Sequence, residues 1–312
     1  EDCYNASPDS MRAAFEAPLE KVYPLRMAAE GEAPDALFEA KAVYVCKHKV
    51  AAPRVVIPVF PGTNCEYDSA RAFGRAGAAA HTLIVRNLSA RDIEESTAQL
   101  ARLIANSQIL MLPGGFSGGD EPDGSGKFIA ALLREPRVAD AIRGLLARDG
   151  LILGICNGFQ ALIKLGLVPY GEIRDMREGS PTLTFNRIGR HVSRLVRTRV
   201  ASNASPWLSF VKPGDVHTVA VSHGEGRFAA TEAEARALFA AGQVATQYAD
   251  EAGAPTMGDG NPNGSLLAVE GLLSPDGRVF GKMAHSERYV WGALRNVPGD
   301  KDQKIFESGV NY

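Results

Sequence analysis

The chain has 312 residues, 45% hydrophobic and 22% charged, which is typical of a globular protein with a sizeable core. Its formal net charge of −2 argues against sequence-independent nucleic-acid binding, because neutralising phosphates requires surplus cations. No uninterrupted apolar run approaches the roughly 18 residues that suggest a membrane span, and no signal-peptide pattern opens the chain.

The first 52 residues differ in sequence pattern from the rest of the chain. A helix is predicted over residues 10–17, and a polar stretch without any motif follows it. We interpret residues 1–52 as a connector or small appendage. The missing initiator Met predicts that the chain was processed or belongs to a longer polypeptide.

From residue 54 onwards, short apolar runs alternate with amphipathic stretches. Strands are predicted at 55–60, 82–85, 108–112 and 151–155, and helices at 68–78, 90–106, 128–134, 137–148 and 158–165. This alternation predicts an α/β fold with an open, mostly parallel, doubly wound sheet and helices on both faces.

Beyond Tyr170 the pattern favours antiparallel strands. These are predicted at 182–185, 191–200, 215–222, 243–248, 266–270 and 279–284, with one helix at 231–241. We therefore expect an antiparallel β-rich insertion within a domain that spans residues 53–312.

The cysteines are too few and too scattered for a disulfide scaffold, and no zinc-ligand spacing occurs; they are Cys3, Cys46, Cys65 and Cys156. We predict a reducing, cytoplasmic setting and no metal site. Cys65 follows a predicted strand, so it could be a second working thiol. Because no His or Glu partner stands out for it, we favour a loop or interface role.

Cys156 lies where a predicted core strand meets a helix. Gly154 and Gly158 flank it in a Gly-x-Cys-x-Gly pattern that has the form of a nucleophile elbow, in which a sharp turn requires small neighbours. The helix amino terminus would stabilise a thiolate and a developing oxyanion. The alternative is a buried cysteine that acts as a small apolar residue.

A nucleophilic thiol requires a base, and His285 is the histidine best placed to provide it. It follows a predicted strand, and Glu287 could accept the second ring N–H and fix the tautomer. An oxyanion also requires backbone donors, and Gly114 and Gly115 follow another predicted strand. The run 115–127 lacks the Walker spacing, so we predict no nucleotide there.

Together, these residues resemble a known family. The segment 154–160, Gly-Ile-Cys-Asn-Gly-Phe-Gln, with His285-Ser286-Glu287, looks like a class I glutamine amidotransferase. Segments 61–68, 113–120 and 222–228 narrow this resemblance to the glutaminase domains of phosphoribosylformylglycinamidine synthases. The resemblance covers residues 54–312, and residues 1–52 resemble the connector that precedes this domain in the long single-chain form.

The resemblance implies a flavodoxin-like fold and a role for each matching residue. Cys156 would attack the side-chain amide of glutamine, His285 would transfer the proton, and Glu287 would orient His285. The backbone N–H groups of Gly115 and Asn157 would hold the oxyanion. The implied glutamine-binding residues are Gly114, Phe116, Gln160, His223 and Glu225. Many relatives have Pro where Ser286 stands, a departure that removes no catalytic group.

The resemblance also implies partners. L-glutamine would be the substrate, and ammonia would pass to a synthetase region of the same polypeptide or to a separate synthetase subunit. ATP and magnesium would act only in that absent region, so no cofactor is expected in this chain. The alternatives are another cysteine hydrolase of this fold, such as a γ-glutamyl hydrolase or peptidase, and a non-catalytic docking module.

Overall fold

The computed structural model describes residues 6–25, 28–119 and 125–312, so Cys3 and Asp120 lie outside it. Helix α1 (Pro8–Glu20) buries none of its side chains. None of the helices in these ranges is both long and apolar enough to cross a membrane.

The apolar runs of the first half form parallel strands, three of them largely buried and the fourth, at the edge of the sheet, mostly exposed. They are β1 (Arg54–Val59), β2 (Ala79–Ile84), β3 (Ile109–Leu112) and β4 (Leu151–Ile155), and their order in the sheet is β2-β1-β3-β4. The crossover helices are α2 (Glu66–Arg75), α3 (Ala90–Ala105), α4 (Lys127–Leu133), α5 (Pro136–Ala147), α6 (Asn157–Leu165) and the single turn α7 (Leu167–Tyr170). Helix α3 packs on α5 and α4 packs on α6, and helices cover both faces of the sheet.

The second half extends the same sheet with antiparallel strands. Its elements are β5 (Thr182–Phe185), β6 (Val192–Val200), β7 (Val216–His223), β8 (Glu225–Ala229), α8 (Glu232–Ala240), β9 (Val244–Ala249), β10 (Val269–Leu273), β11 (Val279–Lys282) and α9 (Ile305–Asn311). The order β4-β11-β10-β9-β6-β7 completes nine strands, and β5 pairs with β8 in a separate two-stranded sheet. Strand β11 is parallel to β4 and antiparallel to β10. The predicted fold class is confirmed.

Some predicted elements were wrong in detail. The strand expected at 266–270 begins only at Val269, because Leu267 and Ala268 have φ values of 53° and 60° in a preceding turn. Strand β11 ends at Lys282, two residues before its predicted end. Strand β8 and helix α9 were not predicted.

The described part of the connector, after residue 27, runs over the surface of the larger unit. Phe38 forms an isolated parallel bridge with Ser202. The Tyr44 hydroxyl donates to Asp149 at 2.7 Å, and the Lys49 ammonium donates to the carbonyl of Asn311 at 3.3 Å. The division into a connector and a domain stays a prediction.

Candidate active site

Cys156 occupies the turn between β4 and α6 in a strained backbone conformation. Its φ and ψ are 53° and −105°, and the residue is 4% exposed. A methyl group on Gly158 would lie 1.9 Å from the carbonyl oxygen of Leu112 on the neighbouring strand. The turn therefore requires glycine there, as the elbow pattern predicts.

His285 and Glu287 form a buried pair just beyond β11. Nδ1 of His285 lies 2.6 Å from Oε1 of Glu287, and the backbone N–H of His285 donates to Ala220 at 2.8 Å. Burial alone would raise the pKa of Glu287, but the charge of His285 and its hydrogen bond lower it overall. An ionised Glu287 holds the proton of His285 on Nδ1 and leaves Nε2 to accept a proton.

The parallel pairing of β4 and β11 brings the thiol and the imidazole together. The backbone N–H of Cys156 donates to the carbonyl of Lys282 at 2.8 Å. A methyl group on Gly114 would lie 2.8 Å from Cε1 of His285 and 3.5 Å from Cβ of Cys156, so both side chains reach the same point. Nε2 of His285 is buried and has no hydrogen-bond partner among the described residues.

The glycine loop after β3 is fixed against the loop after β1. The N–H of Phe116 donates to the carbonyl of Gly62 at 2.8 Å, and the N–H of Asn64 donates to that of Gly114 at 3.2 Å. Gly115 has a φ of 148°, and a methyl group on it would lie 2.6 Å from the Gly62 oxygen. Only glycine fits this position, because any side chain would collide with the loop after β1. The backbone of the glycine loop can therefore lie close to the turn that holds Cys156.

Asn157 joins the glycine loop to the elbow. It is the first residue of α6 and is fully buried. Its side-chain oxygen accepts the N–H of Ser117 at 3.2 Å, and its amide donates to Gln160 at 2.9 Å. The residue therefore holds the loop beside the amino terminus of the helix.

A cavity of about 250 Å³ opens in front of Cys156. Its lining includes six of the residues singled out in the sequence: Gly115, Phe116, Cys156, Gln160, His223 and Glu225. Four others are not part of the lining: Gly114, Asn157, His285 and Glu287. The cavity gives a ligand access to the thiol but not to the histidine and its carboxylate partner.

Gln160 and Glu225 are already engaged with the protein. The Gln160 amide donates to the carbonyl of Glu225, and the Glu225 carboxylate accepts the N–H of Ser125 at 2.8 Å. These bonds connect α6, β8 and the loop before α4. Both residues thus build the cavity wall, and Glu225 adds a negative group to it.

His223 is an uncharged member of the wall. Burial lowers its pKa to about 3, so the imidazole is neutral near pH 7. Nδ1 lies 3.1 Å from the side-chain oxygen of Asn186, and Nε2 has no partner among the described residues. A neutral ring with one unused nitrogen can hydrogen-bond to a ligand.

Sequence reasoning missed two basic residues at the cavity, Arg190 and His191. Arg190 donates to the backbone carbonyl of Pro24 in the connector, and Nε2 of His191 lies 3.2 Å from the hydroxyl of Ser222. In the sequence, these residues could have been noticed as two basic side chains that follow Gly189 and directly precede a strand. Arg190 adds positive charge to the same cavity as Glu225, and His191 adds a polar ring.

Cys65 lies inside the site, beside a histidine that the sequence did not single out as its partner, and its loop or interface role stays a prediction. Its sulfur is 3.8 Å from Nδ1 of His285 and 3.5 Å from the Arg288 guanidinium. Burial, and then the charge of Glu287, raise the pKa of Cys65 to about 12, so the thiol is protonated near pH 7. The residue does not line the cavity.

Ligand atoms of Cys65, His285 and Glu287 lie within 4.8 Å of one another, close enough to hold a metal ion. Hydrogen bonds between protein groups already account for these contacts. Nδ1 of His285 faces Glu287 at 2.6 Å, and a cation, Arg288, already lies against the sulfur. The absence of a metal site stays a prediction.

Comparison with known proteins identifies relatives of the chain. The family described as CobB/CobQ-like glutamine amidotransferase domain matches residues 52–312. The phosphoribosylformylglycinamidine synthase subunit PurQ of Rhodospirillum rubrum is 37% identical over 81% of this chain and 96% of its own length. The same subunit of Salinibacter ruber is 35% identical over 83% and 96%.

Among solved structures, that of PurLQS from Thermotoga maritima matches with a TM-score of 0.60 and 27% identity. The match covers 84% of this chain and 99% of that one. The chain therefore belongs to the CobB/CobQ-like glutamine amidotransferase family, in the group that includes the PurQ subunits of phosphoribosylformylglycinamidine synthase.

Proposed function

We propose that the chain hydrolyses L-glutamine to glutamate and ammonia and supplies the ammonia to a synthetase that makes formylglycinamidine ribonucleotide in purine biosynthesis. The observation that carries the proposal is the convergence of Cys156 and His285 at Gly114 beside a cavity that exposes the thiol. The PurQ names of the relatives support the choice of pathway.

The reaction proceeds through a thioester. The sulfur of Cys156 bonds to the amide carbon of glutamine while His285 takes the thiol proton and delivers it to the departing amine, which leaves as ammonia. Water, deprotonated by His285, then attacks the thioester and releases glutamate and the free thiol. Glu287 keeps the imidazole in the required tautomer throughout. Burial raises the pKa of Cys156, so the thiol needs this base.

The glycine loop and the helix amino terminus stabilise the tetrahedral intermediates. The backbone N–H groups of Gly115 and Asn157 donate to the oxyanion. Gly114 and Phe116 shape the same loop around the reacting carbonyl.

The amino-acid end of glutamine carries one negative and one positive group, and the cavity offers a partner for each. We assign the α-carboxylate to Arg190 and His191 and the α-ammonium group to Glu225. Gln160 and His223 contact the substrate from the wall. This orientation leaves the side-chain amide for Cys156.

The ammonia acceptor lies in a synthetase, either a separate subunit or a region of the same polypeptide. ATP and magnesium act there, and this chain requires no cofactor of its own. We further propose that residues 1–52 connect the domain 53–312 to such a synthetase region, since the family match begins at residue 52. The whole pathway step takes place in the cytoplasm.

The direct test measures glutamate release from glutamine by the wild type and by Cys156→Ala. We expect the variant to lose at least about 10³-fold in kcat, because the nucleophile is gone, while its fold stays intact. γ-Glutamyl peptides and other peptides serve as competing substrates. Equal release by both proteins, or cleavage of peptides in preference to glutamine, would contradict the proposal.

A further inference from the structure

A fully buried ion pair lies beside the segment that leads to His285. The ammonium group of Lys282 is 3.3 Å from Oε1 of Glu270, and both side chains are 0% exposed. Lys282 ends strand β11, and Glu270 belongs to β10 beside it. Thr246 on β9 donates to the second oxygen of Glu270.

Both members of the pair bind the residue immediately before His285. Oε1 of Glu270 accepts the backbone N–H of Ala284 at 2.7 Å. The ammonium group of Lys282 donates to the backbone carbonyl of Ala284 at 2.5 Å. The two charges therefore fix both polar backbone groups of Ala284, beyond the last residue of β11.

Lys282 is also bonded to the nucleophile. Its backbone carbonyl accepts the N–H of Cys156 at 2.8 Å. Lys282 thus binds the backbone on both sides of the site. Its carbonyl holds the backbone of Cys156, and its ammonium group holds the backbone of Ala284, the residue before His285. The separation of Cys156 and His285 depends on the short segment between these two bonds.

The pair is a poor source of stability. Removing two charges from water is costly, and apolar replacement of a buried pair is often neutral or stabilising. A role in positioning His285 explains the pair better, because both charged groups bind the backbone of Ala284, the residue before His285.

From these contacts we infer that Lys282 and Glu270 are positioning residues that set the place of His285 relative to Cys156. The inference rests on the proposed glutaminase function. Neither side chain touches the substrate. Both act on the reaction through the backbone of Ala284.

The test uses the full chain with Lys282→Met and Glu270→Gln combined, because either change alone would leave one charge buried without its partner. We expect the double variant to stay folded, with a thermal midpoint close to that of the wild type. We expect kcat for glutamine to fall at least about tenfold, with KM changed less than about threefold. Labelling of Cys156 by a glutamine-like diazoketone should slow by a similar factor.

Lys301→Met is the matched control. Lys301 lines a small cavity together with His285 but donates to Gly299 and not to Ala284. We expect this variant to keep the wild-type kcat and labelling rate, although it also removes a positive charge near His285.

Three outcomes would overturn the inference: wild-type kcat in the double variant, a loss confined to KM, or failure of the double variant to fold. Failure to fold would mean that the pair serves stability. If the wild type released no glutamate and its Cys156 were not labelled, the proposed function itself would fail. The two failures are therefore distinguishable.

Discussion

Two buried thiols share the site, and only one of them faces the cavity. Cys156 lines it, whereas Cys65 lies against the Glu287 side of the imidazole and contacts Arg288. Burial raises the pKa of both thiols, so acidity does not distinguish them. Access to the substrate distinguishes them, because a nucleophile must reach the reacting carbon.

We predict that Cys65→Ser keeps kcat within about threefold of the wild type, since a hydroxyl can still donate to the side-chain oxygen of Asn64 and accept from Arg288. Cys156→Ser should lose at least about 10³-fold, because a hydroxyl is a far weaker nucleophile here. Glutamate release and mass spectrometry of iodoacetamide-treated protein measure the two effects. Equal labelling of Cys65 and Cys156, or equal losses in the two variants, would argue against this assignment.

At the scale of elements, the site depends on how closely helix α6 approaches strand β3. Gly158 allows the first turn of the helix to pass beside the carbonyl of Leu112. Any side chain there must move the helix or the strand. Because Cys156 is the residue before α6, such a movement also displaces the thiol.

We predict that Gly158→Ala destabilises the protein by about 1–3 kcal/mol through overpacking and also reduces kcat. Gly74→Ala in helix α2 is the matched control, since a methyl group there meets no atom within 4 Å. That substitution should be neutral or stabilising by up to about 1 kcal/mol. Urea unfolding of both variants tests the difference, and equal effects would contradict the packing argument.

Elements with a strong local pattern could be predicted from the sequence. Strands β1, β3 and β4 are short apolar runs, and α3 and α5 have clear apolar stripes. Strand β8 could not be predicted, because its Glu-Gly-Arg-Phe-Ala sequence has no strand pattern of its own and pairs with β5, forty residues away in the chain.

The site could be predicted where motif and chemistry are local. Cys156, His285 and Glu287 stood out by spacing, and the fold brings them together. Arg190 did not, and neither did a partner for Cys65, because the proximity of both residues to the site depends on which strand ends meet across the sheet. The catalytic roles stay predictions until activity is measured.

At the scale of the whole molecule, the connector is fastened to the edge of the domain at several points. Asp149, with a φ of 64° and 7% exposure, accepts both the Tyr44 hydroxyl and the N–H of Lys47 at 3.1 Å. Asp35 pairs with Arg199 on β6. The connector thus packs on the domain even though helix α1 buries nothing.

We predict that Asp149→Ala lowers the free energy of unfolding by about 1–3 kcal/mol, because two donors lose their acceptor at a left-handed position. Asp149→Asn, which tolerates that backbone and keeps an acceptor, should lose less. Urea unfolding measures stability, and hydrogen exchange over residues 44–47 reports local release. Unchanged exchange in the alanine variant would refute the anchoring role.

Strand β11 comes from the last tenth or so of the chain but lies in the middle of the sheet, between β4 and β10. Until β11 has been synthesised, β4 and β10 each lack a partner on the side that β11 will occupy. Such unpaired strand edges are prone to pair with other chains. The same strand leads to His285. Synthesis must therefore pass residue 285 before the sheet can close, and a chain cut before β11 lacks both the central strand and the proposed base.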